Sequence, residues 1–372
     1  MDAHGGAGKA LIYLDYQATT PLAPEAFDAM VPWLRDHYGN PHSAHRLGRA
    51  AAAQVEVARE EIGALLPSGG RLVFTSGATE ALSIAIQGAP PGRIVTIATE
   101  HAAVLDTVEA MRRQGRDVTI LPVDGDGLVD LGTAADHIVA GVSIVVAMLV
   151  NNEIGVIQPV DDLAHMAHRA GALFLCDAVQ GYGRVPLSDA CDMIAISAHK
   201  IHGPKGIGAL WLRDGVSPAP LIHGGGQEGG LRSGTLSPAL CAGFGVAARL
   251  MRERAEQDRA HVEELAALAR ALFADWTLNG SATQRYPGNL NVRRDGLDGA
   301  RLLSYCRNVA FSLGSACASG SGRPSHVLRA LGLTDAQARG AVRIGFGRYT
   351  SRDDVERAAE ALNEAAAAQA VP

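Results

Sequence analysis

From about residue 45 to residue 250, short runs of β-branched and apolar residues alternate with stretches in which apolar residues recur every three or four positions. The short runs predict seven strands, at 71–75, 93–98, 117–121, 143–150, 172–176, 192–197 and 206–212. Several are apolar at consecutive rather than alternate positions, the pattern of strands covered on both faces. Helical periods separate most of them. In one, Leu47, Ala51, Val55, Ala58, Ile62 and Leu65 share a face, and Ser43 is placed to cap the N-terminus. Such alternation predicts an α/β protein with a mainly parallel sheet between two helical layers. In sheets of this kind ligand groups gather on the loops at the carboxyl ends of the strands.

Beyond Gly245 the pattern changes. A long amphipathic helix is expected to about Trp276, with Val262, Leu265, Leu268 and Leu272 on one face. Short strands at 289–293, 309–313 and 342–346 follow, then a terminal helix whose end, 364–370, is alanine-rich. The organisation expected is a large domain over 15–250 and a smaller α+β domain over 251–372, joined by the N-terminal segment 1–14. No internal repeat is visible.

With 47% apolar and 19% charged residues in 372, the chain has an ordinary globular composition. Its net charge of −6, without a run of like charges, points to no nucleic acid and no anionic membrane surface. No stretch approaches the length of a membrane span, and the N-terminus has no signal-peptide pattern, so a cytoplasmic location is expected. Lysine occurs only as Lys9, Lys200 and Lys205, which leaves three possible carriers for lysine chemistry. The five cysteines are odd in number and form no zinc or disulfide pattern. Cys176, Cys191, Cys241 and Cys306 lie in apolar or helix-like runs and read as core residues. Cys317 instead sits in Ser-Leu-Gly-Ser-Ala-Cys-Ala-Ser-Gly-Ser-Gly, which makes it a candidate nucleophile, with an inert loop thiol as the competing reading.

Four loops after predicted strands carry reactive groups. Phe74-Thr-Ser-Gly-Ala-Thr79-Glu80 leads from a strand into a helix, where backbone N–H groups and a hydroxyl form either an anion site or a plain capping turn. Thr99-Glu-His101 puts an imidazole at a strand end. Asp177-Ala-Val-Gln180 puts a carboxylate directly after a buried strand, where it needs a cationic partner. Ser197-Ala-His199-Lys200 sets a lysine beside a hydroxyl and an imidazole, a setting for a nucleophilic amine or Schiff-base carrier. Lys205, in Gly-Pro-Lys-Gly, reads as part of a turn.

Together these are the parts of a pyridoxal-phosphate (PLP) site. Their order resembles the cysteine desulfurases, the NifS/IscS-like branch of the class V aminotransferases. The resemblance runs through Tyr13-Leu-Asp-Tyr-Gln-Ala-Thr-Thr-Pro, Thr75-Ser-Gly-Ala-Thr-Glu, Val150-Asn-Asn-Glu-Ile-Gly, Ser197-Ala-His-Lys and Gly203-Pro-Lys-Gly-Ile-Gly. It continues through His223-Gly-Gly-Gly-Gln, Leu231-Arg-Ser-Gly-Thr, Gly314-Ser-Ala-Cys317 and Arg343-Ile-Gly-Phe-Gly-Arg-Tyr-Thr. It implies PLP fold type I, with Lys200 holding the cofactor covalently, Asp177 on the pyridine nitrogen and His101 stacked on the ring. Gln180 would approach the phenolic oxygen, and Ala78, Thr79, Ser197 and His199 would hold the phosphate. Thr235 would reach that phosphate from the other subunit of a homodimer. Asn152 and Arg343 would take the substrate carboxylate, with Asn152 also beside the cofactor.

The implied reaction converts L-cysteine to L-alanine and leaves sulfur on Cys317 as a persulfide, for an acceptor or an iron–sulfur scaffold protein. No resident metal is implied; Cys317 would be a cluster ligand only in complex with a scaffold. A selenocysteine lyase or another class V aminotransferase or lyase is the alternative enzyme, and a PLP-binding scaffold with a vestigial site the non-enzyme one. The chain departs from its relatives at Asp214-Gly-Val-Ser-Pro-Ala-Pro-Leu, where they are basic, at Gly229, where they carry arginine, and in ending at Pro372. Weak docking to a standard scaffold is the expectation from those losses; docking through other surfaces stands beside it.

Overall fold

The computed structural model describes residues 11–313 and 324–369. A short β1 (Ile12–Tyr13) precedes α1 (Pro24–Arg35) and α2 (Arg46–Gly63). All seven predicted strands then form, as β2 (Gly70–Thr75), β3 (Arg93–Ile97), β4 (Val118–Leu121), β5 (Val142–Met148), β6 (Leu173–Asp177), β7 (Met193–Ser197) and β8 (Gly208–Arg213). They make one sheet in the order β2-β8-β7-β6-β5-β3-β4. Only β8 runs against its neighbours, β2 and β7. The other six therefore end at the same edge.

The helices between them are α3 (Ala78–Gln87), α4 (Ala102–Arg113), α5 (Leu131–His137) and α6 (Val160–Arg169), with α7 (Pro238–Glu253) and α8 (Ala255–Leu272) after the sheet. Successive residues of β5 explain the two layers. Ile144 and Val146 pack with Ile84 of α3 and Val104 and Val108 of α4. Val145 and Ala147 face the opposite cluster, with Val55 of α2, Leu163 of α6 and Phe244 of α7. Each such aliphatic side chain contributes roughly 1.5–3 kcal/mol on burial, which is why the strands read as unbroken apolar runs.

A second, antiparallel sheet combines β9 (Thr277–Leu278), β10 (Asn289–Arg293), β12 (Ser312–Leu313) and β13 (Ala341–Gly345), while β11 (Val309–Ala310) pairs with β1. Four helices complete the fold: α9 (Gly299–Tyr305), α10 (His326–Ala330), α11 (Asp335–Arg339) and α12 (Arg352–Gln369).

Three local expectations change. The cap of α2 is His45, whose Nδ1 accepts from the Gly48 N–H at 3.2 Å, not Ser43. The helix expected through Gly245 to Trp276 breaks at Arg254, where φ −107° and ψ 9° end α7 and start α8. The strand expected at 309–313 divides into β11 and β12, which join different sheets.

Residues after β1 tie the two sheets together. Asp15 bridges to Gly345, Gln17 Nε2 donates to the Gly288 carbonyl, and the Thr20 N–H donates to the carbonyl of His199. A Cβ at Gly345 would lie 1.6 Å from Gln17 Oε1, so a side chain there would displace the Gln17 amide.

Candidate active site

The loops at the shared edge of the six parallel strands surround a cavity of about 580 Å³, within the usual range for small-molecule sites. Ala78, Thr79, His101, Asn152, Asp177, Gln180, Ser197, His199, Lys200 and Arg343 all line it, although Arg343 is 143 positions from Lys200 in sequence. Lys205, read from the sequence as turn structure, lines it too. Thr235 lies on an exposed loop and is not among the lining residues. Cys317 lies outside the described residues.

On one wall β2 ends at Thr75 and α3 begins at Ala78 with no side chain capping it, and Ser76, Gly77, Ala78 and Thr79 of this turn line the cavity. Glu80 fixes that turn by accepting from the Ser76 N–H at 2.6 Å and from Arg232 Nε at 2.7 Å. Gly208, where β8 starts, lets the turn lie directly on the sheet. A Cβ there would stand 2.7 Å from the carbonyl carbon of Gly77.

β6 carries Asp177 as its last residue, and its carboxylate accepts from the Val179 N–H at 3.0 Å. Burial pushes its pKa up, against that hydrogen bond and the charges of His101 and Lys200. Among the described residues His101 and Lys200 are the cations whose charges favour its anion. Behind it Glu100 is wholly buried. Burial first, and then the Asp177 charge, push this carboxyl well above its ordinary range, although Oε1 accepts from the Met148 N–H at 2.6 Å.

Lys200 ends a short helical turn after β7, and its Nζ donates to the carbonyls of Gln17 at 2.5 Å and Ala18 at 2.9 Å. Arg184 holds the turn from behind, donating to the Lys200 carbonyl and to that of Gln180. His202, two residues on, adopts φ 68°. Its Nδ1 meets the Pro21 carbonyl at 3.0 Å, and burial lowers its pKa to about 3, so it stays neutral.

His101 caps α4 by accepting at Nδ1 from the Ala103 N–H, 3.0 Å away. A neutral ring that accepts at Nδ1 carries its proton on Nε2. Burial favours that neutral form by lowering the pKa. His199 Nδ1 is 3.1 Å from Thr19 Oγ1, and burial with the nearby Lys200 and Lys205 brings its pKa to about 4.

The remaining wall is Asn152 and Arg343. Arg343 donates through Nη2 to Asp15 Oδ1 at 2.8 Å and through Nη1 to the Asn152 carbonyl at 3.1 Å. Near it Glu153 is pushed up to about 7 by burial, against a 2.5 Å hydrogen bond from Ser325 Oγ and the charge of Arg343.

Sequence reasoning gave no role to Asp15, Gln17, Glu100, Glu153 or Arg184. The first four stand inside quoted motifs, so position alone pointed to them; Arg184 carried no signal.

PLP fits this donor set. An anion has the first turn of α3, a ring cation has the buried Asp177 carboxylate, and an aldehyde carbon has the Lys200 amine. The model for "Aminotransferase class-V" matches residues 12–358, and the chain belongs to that family, whose members depend on PLP. Among its relatives it is similar to the mitochondrial cysteine desulfurase of Saccharomyces cerevisiae, 42% identical over 96% of this chain and 76% of that protein. It is also 40% identical to the cysteine desulfurase IscS of Rickettsia bellii, over 94% of this chain and 90% of that one. Of solved structures, a NifS-like protein superposes with a TM-score of 0.88 at 32% identity, covering 95% of this chain and 98% of the other. SspA in complex with cysteine gives 0.80 at 34%, covering 91% and 99%.

Proposed function

We propose that this protein is a PLP-dependent cysteine desulfurase, converting L-cysteine to L-alanine and passing the sulfur to Cys317 as a persulfide. The observation that carries this is the buried Asp177 carboxylate on the wall of the cavity that Lys200 also lines, in a chain whose relatives bear that activity. When bound, PLP supplies the electron sink that lets the substrate's Cα–H and then its Cβ–S bond break.

The chain's own groups do the rest. Lys200 Nζ would hold the cofactor, and its free amine would take the Cα proton of the substrate. Asp177 would meet the ring nitrogen and, as an anion, favour a proton there. The α3 turn, with Thr79, Ser197 and His199, would anchor the phosphate, and Gln180 would meet the phenolic oxygen. Arg343 and Asn152 hold the substrate carboxylate and so aim its Cβ–S bond. His101 presents its Nε2 proton to the reacting atoms. Cys317, as thiolate, receives the sulfur.

Two further points belong to this reading. The active protein is a homodimer in which Thr235 completes the partner's phosphate site, supported by the exposed apolar Phe27, Leu34 and Tyr38 on and just after α1. The persulfide then passes to an acceptor or iron–sulfur scaffold protein. The test is to give L-cysteine and a thiol reductant to the PLP-loaded protein and assay sulfide and alanine. Equal amounts of both are expected; a keto acid in place of alanine would overturn the assignment.

A further inference from the structure

Arg343 is 1% exposed and is the largest of the fully buried side chains, yet it lines the cavity. A guanidinium so placed is tolerated only if its charge and its N–H groups are met. Asp15 does both. Its Oδ1 accepts from Arg343 Nη2 at 2.8 Å and from Ser312 Oγ at 2.8 Å. The acceptor is itself fixed. The Asp15 backbone bridges to Gly345, two residues beyond Arg343 on the same strand, and Ser312 stands opposite Arg343 in the β12–β13 register.

The Asn152 carbonyl takes one Nη1 proton and Asp15 one Nη2 proton. Each Nη carries two protons, so one on each remains to meet a carboxylate. Glu153 also feels this charge, but its carboxyl is engaged by Ser325 and makes no direct contact with the guanidinium among the described residues.

We propose that Asp15 is a positioning residue for substrate recognition: it fixes the Arg343 guanidinium so that its free edge faces the carboxylate of the incoming amino acid. The inference rests on Arg343 being the carboxylate site. Because both donors converge on Oδ1, an asparagine at this position can keep both hydrogen bonds through its own Oδ1 while losing the charge. An alanine loses everything.

Propionate, a carboxylate without an amine to react with the cofactor, is the probe, titrated by calorimetry into PLP-loaded wild type, D15A, D15N, S312A and R343A. D15A is expected to weaken propionate about tenfold and raise the KM for L-cysteine about tenfold, with kcat within about twofold. D15N is expected to bind propionate at least as tightly as wild type, because the guanidinium keeps its orientation and loses its counter-charge. S312A, which removes one donor to Oδ1, is expected to weaken it about threefold. Wild-type affinity in D15A, or a loss in D15N equal to that in D15A, would overturn the role of Asp15. If D15A does not fold, wild-type affinity in S312A does so. Unchanged propionate affinity in R343A would instead refute the underlying carboxylate site.

Discussion

Replacing Glu153 with glutamine should make the protein more stable above neutral pH and leave it little changed in acid. Glu153 is 3% exposed, and burial raises its pKa from 4.5 to about 7 despite the Ser325 hydrogen bond and the Arg343 charge. The folded chain therefore holds this proton more tightly than the unfolded chain does. Its contribution is fully present below pH 4.5 and is lost as pH rises through about 7. Each decade of acidity is about 1.4 kcal/mol, so the loss across that window is about 3 kcal/mol. Glutamine cannot ionise, yet its Oε1 can still accept from Ser325 Oγ, so E153Q removes the pH term and keeps the contact. The assay is urea denaturation of both proteins at pH 5, 6, 7 and 8, at fixed protein concentration and saturating PLP. Groups common to both cancel in the difference. E153Q should gain on wild type by about 2.5 kcal/mol between pH 5 and pH 8. A difference that does not change with pH would refute the reasoning, as would one that grows toward acid.

Asp177→Asn should lower PLP affinity roughly 10- to 100-fold, the loss of one contact to a charged group, measured by titrating the cofactor-free protein and following absorbance. Arg59→Ala should cost about 3 kcal/mol in thermal or urea unfolding. It strands Glu228, which now receives Arg59 at 2.9 and 3.0 Å and the Phe74 N–H at 2.7 Å. Borohydride reduction followed by peptide mapping should place the pyridoxyl group on Lys200, with a label on Lys205 counting against the assignment. Cys317→Ser should keep PLP binding and the spectral change on adding L-cysteine while sulfide and alanine production collapse.

Much of this architecture could be read from the chain because burial on both faces leaves a one-dimensional trace. β5 is apolar at nearly every position, and its predicted and observed limits differ by at most two residues. The site was legible where its residues follow strand ends in recognisable order, as Asp177 and Lys200 do. What escaped depends on contacts distant in sequence. Asp15 and Arg343 are 328 positions apart, and nothing local announces their ion pair. The buried states of Glu100 and Glu153 come from side chains packed over them, so their raised pKa values have no sequence signature. The break at Arg254 lacks glycine and proline, and the apolar period ran through it unmarked.

The reversed strand has a consequence for how the protein is made. β2 pairs with β8 alone, so the first strand of the large sheet meets its neighbour only after more than 130 further residues have been synthesised. Strands β3 to β7 can pair among themselves as they emerge, because each neighbour is close in the order of synthesis. β2, and with it the turn that opens α3, has no lateral partner until Gly208–Arg213 leaves the ribosome. Such non-local pairing is slow, since the closure entropy of the intervening chain has to be met before any contact repays it. The wall proposed for the phosphate is thus the last part of the large sheet to be assembled. A released chain truncated before residue 208 should carry the Lys200 turn without β8 to pair with β2, and cofactor capture becomes a late event that reports completion of the sheet.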